Sequence, residues 1–328
     1  MSRVIFLVYQ LHTIIITVAD AIGGGKFHNF SDYTPRSPVV GVLALPPQGT
    51  LKGPFVSEFV VEFLEGAGIQ VAPVLYDDPN LESLLSRLNG IYLSDGSIDI
   101  TFDHPYVKAA SRIYQFALDR YSKDGPFPLI GFCQGHQILA ALAAGTTDVI
   151  LKHAYKTDDV ALTLKIIGNG GRMLGSLPSN VKYILENNPV TPNLHRDGVP
   201  PGMWGAYKGL KDQFVMTSTS KDPYTQQDFS ATMESQPGKP VMYGLQWHPE
   251  MIPYNWDPLV KKAIVKTEDS FLVSSSFSFF VGSLFRGKTH KFSNPRDLAK
   301  ALVRSYPRLC EEDDVVMGTC VYLIQHSS

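Results

Sequence analysis

The sequence predicts an α/β fold whose central, mainly parallel sheet is covered by helices on both faces. Two observations predict it. Short, nearly continuous apolar runs alternate along the chain with stretches whose apolar residues recur at helical spacing, and glycine-rich or polar turns punctuate the junctions. Continuous apolar runs are what strands buried on both faces require, and strand–helix alternation implies right-handed crossovers. Composition agrees: 328 residues with 44% hydrophobic and 18% charged side chains are ample for a sizeable core.

In chain order, residues 39–45 form a first buried strand. Phe55, Phe59, Val60, Phe63 and Leu64 recur at helical spacing, and Gly66 and Gly68 end that helix. A strand follows over 69–75, a short helix over 81–88, and a strand over 90–93 that runs into the turn Ser94-Asp95-Gly96-Ser97. The stripe Val107, Ala110, Ile113, Phe116, Ala117 and Tyr121 marks a longer helix over 106–121. Residues 127–132 read as another buried strand and 137–144 as helix. The middle, 161–219, has shorter segments and many turn residues; 213–219 and 240–247 are further strands, and 270–285 a helix. Residues 286–328 are polar apart from 299–303 and 315–324, and read as an appendage. No internal repeat or low-complexity block occurs.

Twenty-nine basic against 31 acidic residues leave a formal net charge of −2, so no global field attracts nucleic acid or an anionic membrane. At the amino end, a short basic start precedes an apolar run over 4–18, and Ala19-Asp20-Ala21 supplies the small-x-small pattern of a cleavage site. Residues 1–21 therefore read as a signal peptide, with a buried terminal strand or helix as the alternative. A linker over 22–37 carries Asn29-Phe30-Ser31, a candidate glycosylation acceptor. Cys133, Cys310 and Cys320 are the three cysteines, too few for a disulfide scaffold and too scattered for a zinc site.

The chemistry gathers at two strand ends. Gly131-Phe132-Cys133-Gln134-Gly135-His136-Gln137 takes an apolar strand straight into a small-x-Cys-x-Gly turn and a helix. This is the nucleophile-elbow pattern with sulfur in place of oxygen; the helix amino terminus favours a thiolate there. On local pattern alone, Cys133 reads equally well as a small buried hydrophobe. Farther on, Gln246-Trp247-His248-Pro249-Glu250 closes a strand expected to end at His248. A cysteine enzyme needs an imidazole to move the thiol proton and an acceptor to orient the ring, and Glu250 is spaced to reach His248 from behind. A structural loop histidine is the alternative.

Taken together, the elbow and the Trp-His-Pro-Glu segment resemble the class I glutamine amidotransferase-like superfamily, whose triad is Cys-His-Glu. Within it the chain resembles the gamma-glutamyl hydrolase family over roughly residues 38–285. The shared motifs are the opening strand, the helix leading into 69–75, Asp95-Gly96-Ser97-Ile98-Asp99, Arg172-Met173 and Asn193-Leu194-His195. The closing ones are Ser230-Ala231-Thr232-Met233-Glu234, Gly244 to Glu250, and Pro253-Tyr254-Asn255-Trp256. The resemblance implies a three-layer α/β/α (flavodoxin-like) catalytic domain over 38–285. It also implies hydrolysis of the poly-γ-glutamate tails of folates in the secretory pathway, lysosome, vacuole or outside the cell. In that scheme Cys133 is the nucleophile, His248 the general base and acid, and Glu250 its orienting partner. The backbone amides of Gln134 and Gly96 form the oxyanion hole, and His195 and Ser97 line the substrate cleft. No metal or cofactor is implied. The partner is a small-molecule substrate, not nucleic acid or membrane, with a homodimer left open. Two other readings of the same fold are a glutamine-hydrolysing amidotransferase subunit and a catalytically silent binding protein.

Three segments depart from that family's pattern. The family turn reads Phe-Pro-Gly-Gly-Ser where this chain has Leu93-Ser94-Asp95-Gly96-Ser97, so a carboxyl group stands close to the expected oxyanion. The elbow reads Phe-Cys-Gln-Gly-His rather than Thr-Cys-Leu-Gly-Phe, and Pro54 to Phe59 replaces a tyrosine-bearing pocket segment. Cys310 and Cys320 fall in the appendage; in an oxidising compartment they could close a small loop, with Cys133 left as the reduced thiol.

Overall fold

The computed structural model describes residues 37–256 except 122 and 124, together with 262–286, 291–310 and 319–325. The leader expected over 1–21, most of the linker and Asn29 lie outside the described residues. The first half runs β1 (Val39–Leu43), β2 (Phe55–Ser57), α1 (Glu58–Gly66), β3 (Gln70–Val74), α2 (Leu81–Leu85), β4 (Ile91–Leu93), α3 (Pro105–Tyr121), β5 (Leu129–Phe132) and α4 (Gln134–Ala144). Next come β6 (Thr157–Leu162), β7 (Lys165–Ile166), α5 (Ser179–Asn187), β8 (Thr191–His195), α6 (Met203–Ala206), α7 (Lys208–Gln213), β9 (Phe214–Lys221), β10 (Asp228–Ser235) and β11 (Met242–Leu245). Helices α8 (Met251–Tyr254), α9 (Glu268–Phe285) and α10 (Pro295–Ala301) precede β12 (Arg308–Leu309) and β13 (Val321–Leu323).

The main sheet has eight strands in the order β3-β1-β4-β5-β11-β10-β9-β7. The first five are parallel, and β10, β9 and β7 extend it antiparallel. Alternate side chains along each strand enter different cores, as the pleat requires. Val40, Val42, Tyr92, Ile130, Phe132 and Leu245 join one cluster with Phe59 and Phe63 of α1 and Val273, Phe277 and Val281 of α9. Their neighbours Val39, Leu43, Ile91, Leu93, Leu129 and Met242 join another with Val107, Ile113 and Ala117 of α3 and Ile138 and Ala141 of α4. This is the three-layer α/β/α arrangement.

Helix α9 starts where its sequence says it should. Thr267 and Ser270 form a reciprocal capping box, each side chain accepting from the other's backbone N–H. Fully buried Phe277 stacks edge-on with Trp247 at 4.8 Å, fixing the helix against the segment that carries His248.

The structure differs from the sequence expectations in five places. Phe55, read as part of the first helix's apolar stripe, lies in strand β2, and α1 begins only at Glu58. Helix α4 begins at Gln134, immediately after the cysteine, not at 137. The β11 ladder ends at Leu245 rather than His248, because beyond it the partner strand β5 has already turned into the elbow. The amide of Gln246 then bonds Ala231, and that of His248 bonds Pro192 at 3.0 Å. Strand β10 was legible only as a motif, since its Ser, Thr and Glu side chains break any apolar run although most of it is buried. Finally, β12 and β13 continue onto β2 in a three-stranded sheet. Val321, Tyr322 and Ile324 are buried, Arg308 makes two hydrogen bonds to the carboxylate of Glu58, and a disulfide joins Cys310 to Cys320.

Candidate active site

The site lies at the carboxyl ends of β4, β5 and β11, where open α/β sheets place their ligands. Cys133 follows β5 with φ 48° and ψ −105°, a conformation that costs a non-glycine residue energy and is characteristic of functional turns. The turn is too crowded for side chains on either side of it. A Cβ on Gly131 would lie 2.5 Å from the Gly135 carbonyl, and one on Gly135 would lie 2.3 Å from the Leu93 carbonyl oxygen. The two glycines thus permit the elbow to form and to press against β4. Cys133 is a free thiol, 6% exposed, at the amino terminus of α4.

Two turns on neighbouring strands are locked together by a side chain. The Gln134 amide donates to the Ile98 carbonyl at 2.6 Å and accepts from the Ile98 N–H at 3.2 Å. A Cβ on Gly96 would meet Gln134 Oε1 at 2.8 Å, so the turn sits directly on this clamp. Gln134 was singled out for its backbone amide; its side chain holds the second turn as well. Ser94 and Asp95 are buried, whereas Ser97 is exposed on the rim.

His248 and Glu250 are almost wholly buried, with Nδ1 of the ring 2.7 Å from Glu250 Oε1. Burial by itself disfavours the imidazolium, but the Glu250 carboxylate and the nearby Cys133 sulfur overcome it and raise the proton affinity of His248 well above that of free imidazole. The structure therefore brings Cys133, His248 and Glu250 together, with a base oriented by a carboxylate and poised to hold the thiol proton.

Two further glutamines contribute that sequence reasoning missed. The Gln246 side chain lies with Nε2 3.7 Å from Cys133 Sγ, and its Oε1 accepts from Gln137 Nε2 at 3.1 Å. Gln137 also donates to the Asp197 carbonyl at 2.8 Å. Gln137 lies one helical turn after Cys133, and Gln246 sits beside Trp247 and His248; those spacings are the signal available.

His195 is buried at the end of β8. Its Nδ1 is 2.8 Å from the Asp197 carbonyl oxygen and its Nε2 is 3.2 Å from Asn193 Oδ1. The Phe229 ring meets it edge-on at 4.7 Å. Burial pushes its pKa down to about 3, so it stays neutral and is within electrostatic reach of His248. His136, packed under Gly244, is also neutral, pushed down to about 4 by burial.

Asp95 is the unusual member. Its carboxyl group is 5% exposed and turned inward, and burial pushes its pKa up to about 6 against the opposing pull of His248. Among the described residues, no group of three or more His, Cys, Asp or Glu side chains is placed to hold a metal ion. Nor is any described helix long and apolar enough to cross a membrane.

Comparison with known proteins follows the same lines. The family model described as glutamine amidotransferase class-I matches residues 55–266. Gamma-glutamyl hydrolase B of Dictyostelium discoideum is 28% identical over 277 residues, covering 83% of this chain and 78% of that protein. The gamma-glutamyl hydrolases of Homo sapiens and Bos taurus are 29% and 28% identical, each covering 83% of this chain and 85% of their own lengths.

Proposed function

The chain belongs to the class-I glutamine amidotransferase family, and from that premise we propose that it is a cysteine hydrolase of γ-glutamyl bonds in folate poly-γ-glutamates. The observation that carries the reading is the His248–Glu250 pair, 2.7 Å apart and buried beside a thiol held at φ 48° on the elbow. The names of its relatives and the Ser-x-Thr-Met-Glu and Pro-Tyr-x-Trp flanks favour a γ-glutamyl hydrolase over a glutaminase.

The reaction uses each group once in each half. The Cys133 sulfur, its proton passed to His248, attacks the γ-glutamyl carbonyl carbon and forms a carbon–sulfur bond. Negative charge moves to the carbonyl oxygen, which the amides of Gln134 and Gly96 receive. Collapse of this intermediate breaks the carbon–nitrogen bond while His248 returns the proton to the leaving amine. Water then attacks the thioester, giving its proton to His248, and departure of the thiolate regenerates the site. Glu250 fixes the ring tautomer and supports the imidazolium throughout. Ser97, exposed on the rim, and His195, neutral within the wall, take the substrate side.

The leader over 1–21, a catalytic domain over 38–285 and a carboxyl-terminal appendage fit an enzyme of the secretory pathway, delivered to the lysosome, the vacuole or the outside. Incubation with pteroyl-poly-γ-glutamate and, separately, with glutamine tests the reading. Release of glutamate or glutamyl peptides that disappears in Cys133→Ala supports it. Ammonia from glutamine alone, or no turnover of either compound, overturns it.

A further inference from the structure

In and beside the triad, the buried polar atoms with no hydrogen-bond partner among the described residues include Tyr92 Oη, Asp95 Oδ1, Tyr106 Oη, His248 Nε2 and Glu250 Oε2, besides the ring nitrogens of His136 and Trp247. The first five come from different elements, Tyr92 from β4, Tyr106 from α3, Asp95 from the turn, and His248 and Glu250 from the segment after β11. Each burial without a partner is costly, so their convergence on the reacting centre is a functional feature rather than packing.

We propose that Asp95 is a positioning residue that works as the neutral acid, and that the enzyme loses activity when this carboxyl group ionises. The inference rests on the hydrolase reading of the same site and adds the condition under which the site operates. Three observations support it. Asp95 is buried in the turn after β4 with its Oδ1 unpartnered among the described residues, and His248 and Glu250 both lie within electrostatic reach of it. With Glu250 already pairing the ring, a second anion would over-stabilise the imidazolium and withhold the proton that the leaving amine must receive. Asp95 also directly precedes Gly96, whose amide the hydrolase reading assigns to the oxyanion hole, and a carboxylate there would oppose the charge that develops.

The surroundings favour the protonated form. Burial is the largest influence and raises the pKa to about 6; Glu250 acts in the same direction, and His248 opposes both. The other titratable groups facing it are the phenols of Tyr92 and Tyr106, both raised by burial and so neutral donors, with Cys133 in turn beside Tyr92. No lysine or arginine figures among the influences on Asp95. The surroundings are thus two phenols, a carboxylate and a single imidazole.

Two measurements on the full chain test the proposal. In the first, kcat/KM for pteroyl-poly-γ-glutamate is determined at pH 5 and pH 7.5 for the wild type, Asp95→Asn and Asp95→Gly. The ratio of the value at pH 7.5 to that at pH 5 should rise on the order of tenfold or more in the variants, since each pH unit above the pKa costs a factor of ten in protonated form. An unchanged ratio overturns the proposal, and the second variant serves if the first does not fold. In the second, ¹³C-aspartate-labelled wild-type protein should show a Cγ resonance that titrates near pH 6 and is missing from the Asp95 variant. No aspartate resonance titrating between pH 5 and 8 overturns the proposal without reference to substrate. A titrating resonance in a protein that hydrolyses no γ-glutamyl bond overturns the functional reading and leaves Asp95 a buried acid.

Discussion

Two glutamates buried near opposite ends of β11 are treated in opposite ways. Glu234, paired with Tyr243 near the amino end of the strand, has both oxygens occupied. They accept from the backbone N–H groups of Arg172 and Met173 and from Arg172 Nε, at 2.8–3.1 Å. The guanidinium continues to Ser235 and lies over the Tyr243 ring. Glu250, beyond the carboxyl end, makes one 2.7 Å bond to His248, and its other oxygen has no partner among the described residues. A fully bonded carboxylate fixes a loop in place. A half-bonded one beside a thiol is free to follow a charge that appears and disappears during a reaction.

Breaking the comparison at its reactive end has the largest expected effect. Glu250→Gln should leave the fold intact while letting the ring take the wrong tautomer, lowering kcat by roughly 10²–10⁴-fold. Steady-state kinetics beside a circular dichroism spectrum checks this, and a loss of folding without a specific loss of kcat would contradict it. Asp95 comes next, read through stability. Its pKa is raised in the folded protein, so the folded state holds the proton more tightly than the unfolded chain. Stability is therefore fully present below about pH 4 and is lost as pH rises through about 6. The total is on the order of 3 kcal/mol. Denaturant titrations should show Asp95→Asn gaining on the wild type between those two pH values.

Glu234→Gln sharpens the contrast from the other side. Replacing the bonded carboxylate should destabilise the protein by roughly 1–2 kcal/mol, because the guanidinium is half-exposed and solvent tempers its loss. The chemical step should be nearly untouched, so a drop in melting temperature with kcat preserved is the expected pair of results. Ser97→Ala is the smallest. An exposed hydroxyl contributes little to stability, and KM should rise a few-fold with unfolding unchanged within about 0.5 kcal/mol.

Legibility in the sequence divides along a similar line. The parallel strands could be read because double burial forces apolar runs such as Val39–Leu43, and the elbow because only glycine fits at 131 and 135. The approach of His248 and Glu250 was readable because they lie two residues apart. The clamp of Gln134 on Ile98 and the chain from Gln137 to Gln246 to Cys133 were not, since a glutamine carries no periodic signal and the two links of the chain span 109 and 113 positions. Strand β10 escaped for a related reason: its buried hydroxyls pair across the sheet, as Thr232 does with Thr217 and Ser218, so burial there needs no apolar residues. The inward turn of Asp95 was visible only as a departure from a pattern; its burial among Tyr92, Tyr106, His248 and Glu250 is a property of the assembled site.

The junction between β2 and β13 has a consequence for the order in which the molecule is made. The backbone N–H of Glu58, at the start of α1, donates to the Cys320 carbonyl, and the Arg308–Glu58 pair spans 250 positions. At a synthesis rate of roughly 5–20 residues per second, β2 leaves the ribosome some 10–50 s before its partner strand exists. Through that interval a three-residue strand presents its unpaired edge while the sheet beside it is already able to fold. The Cys133 elbow waits for β11, since its backbone N–H donates to the Leu245 carbonyl, but the entrance to α1 waits longer still, and a nascent chain stalled before β13 would carry an open seam beside a main sheet whose strands are all made.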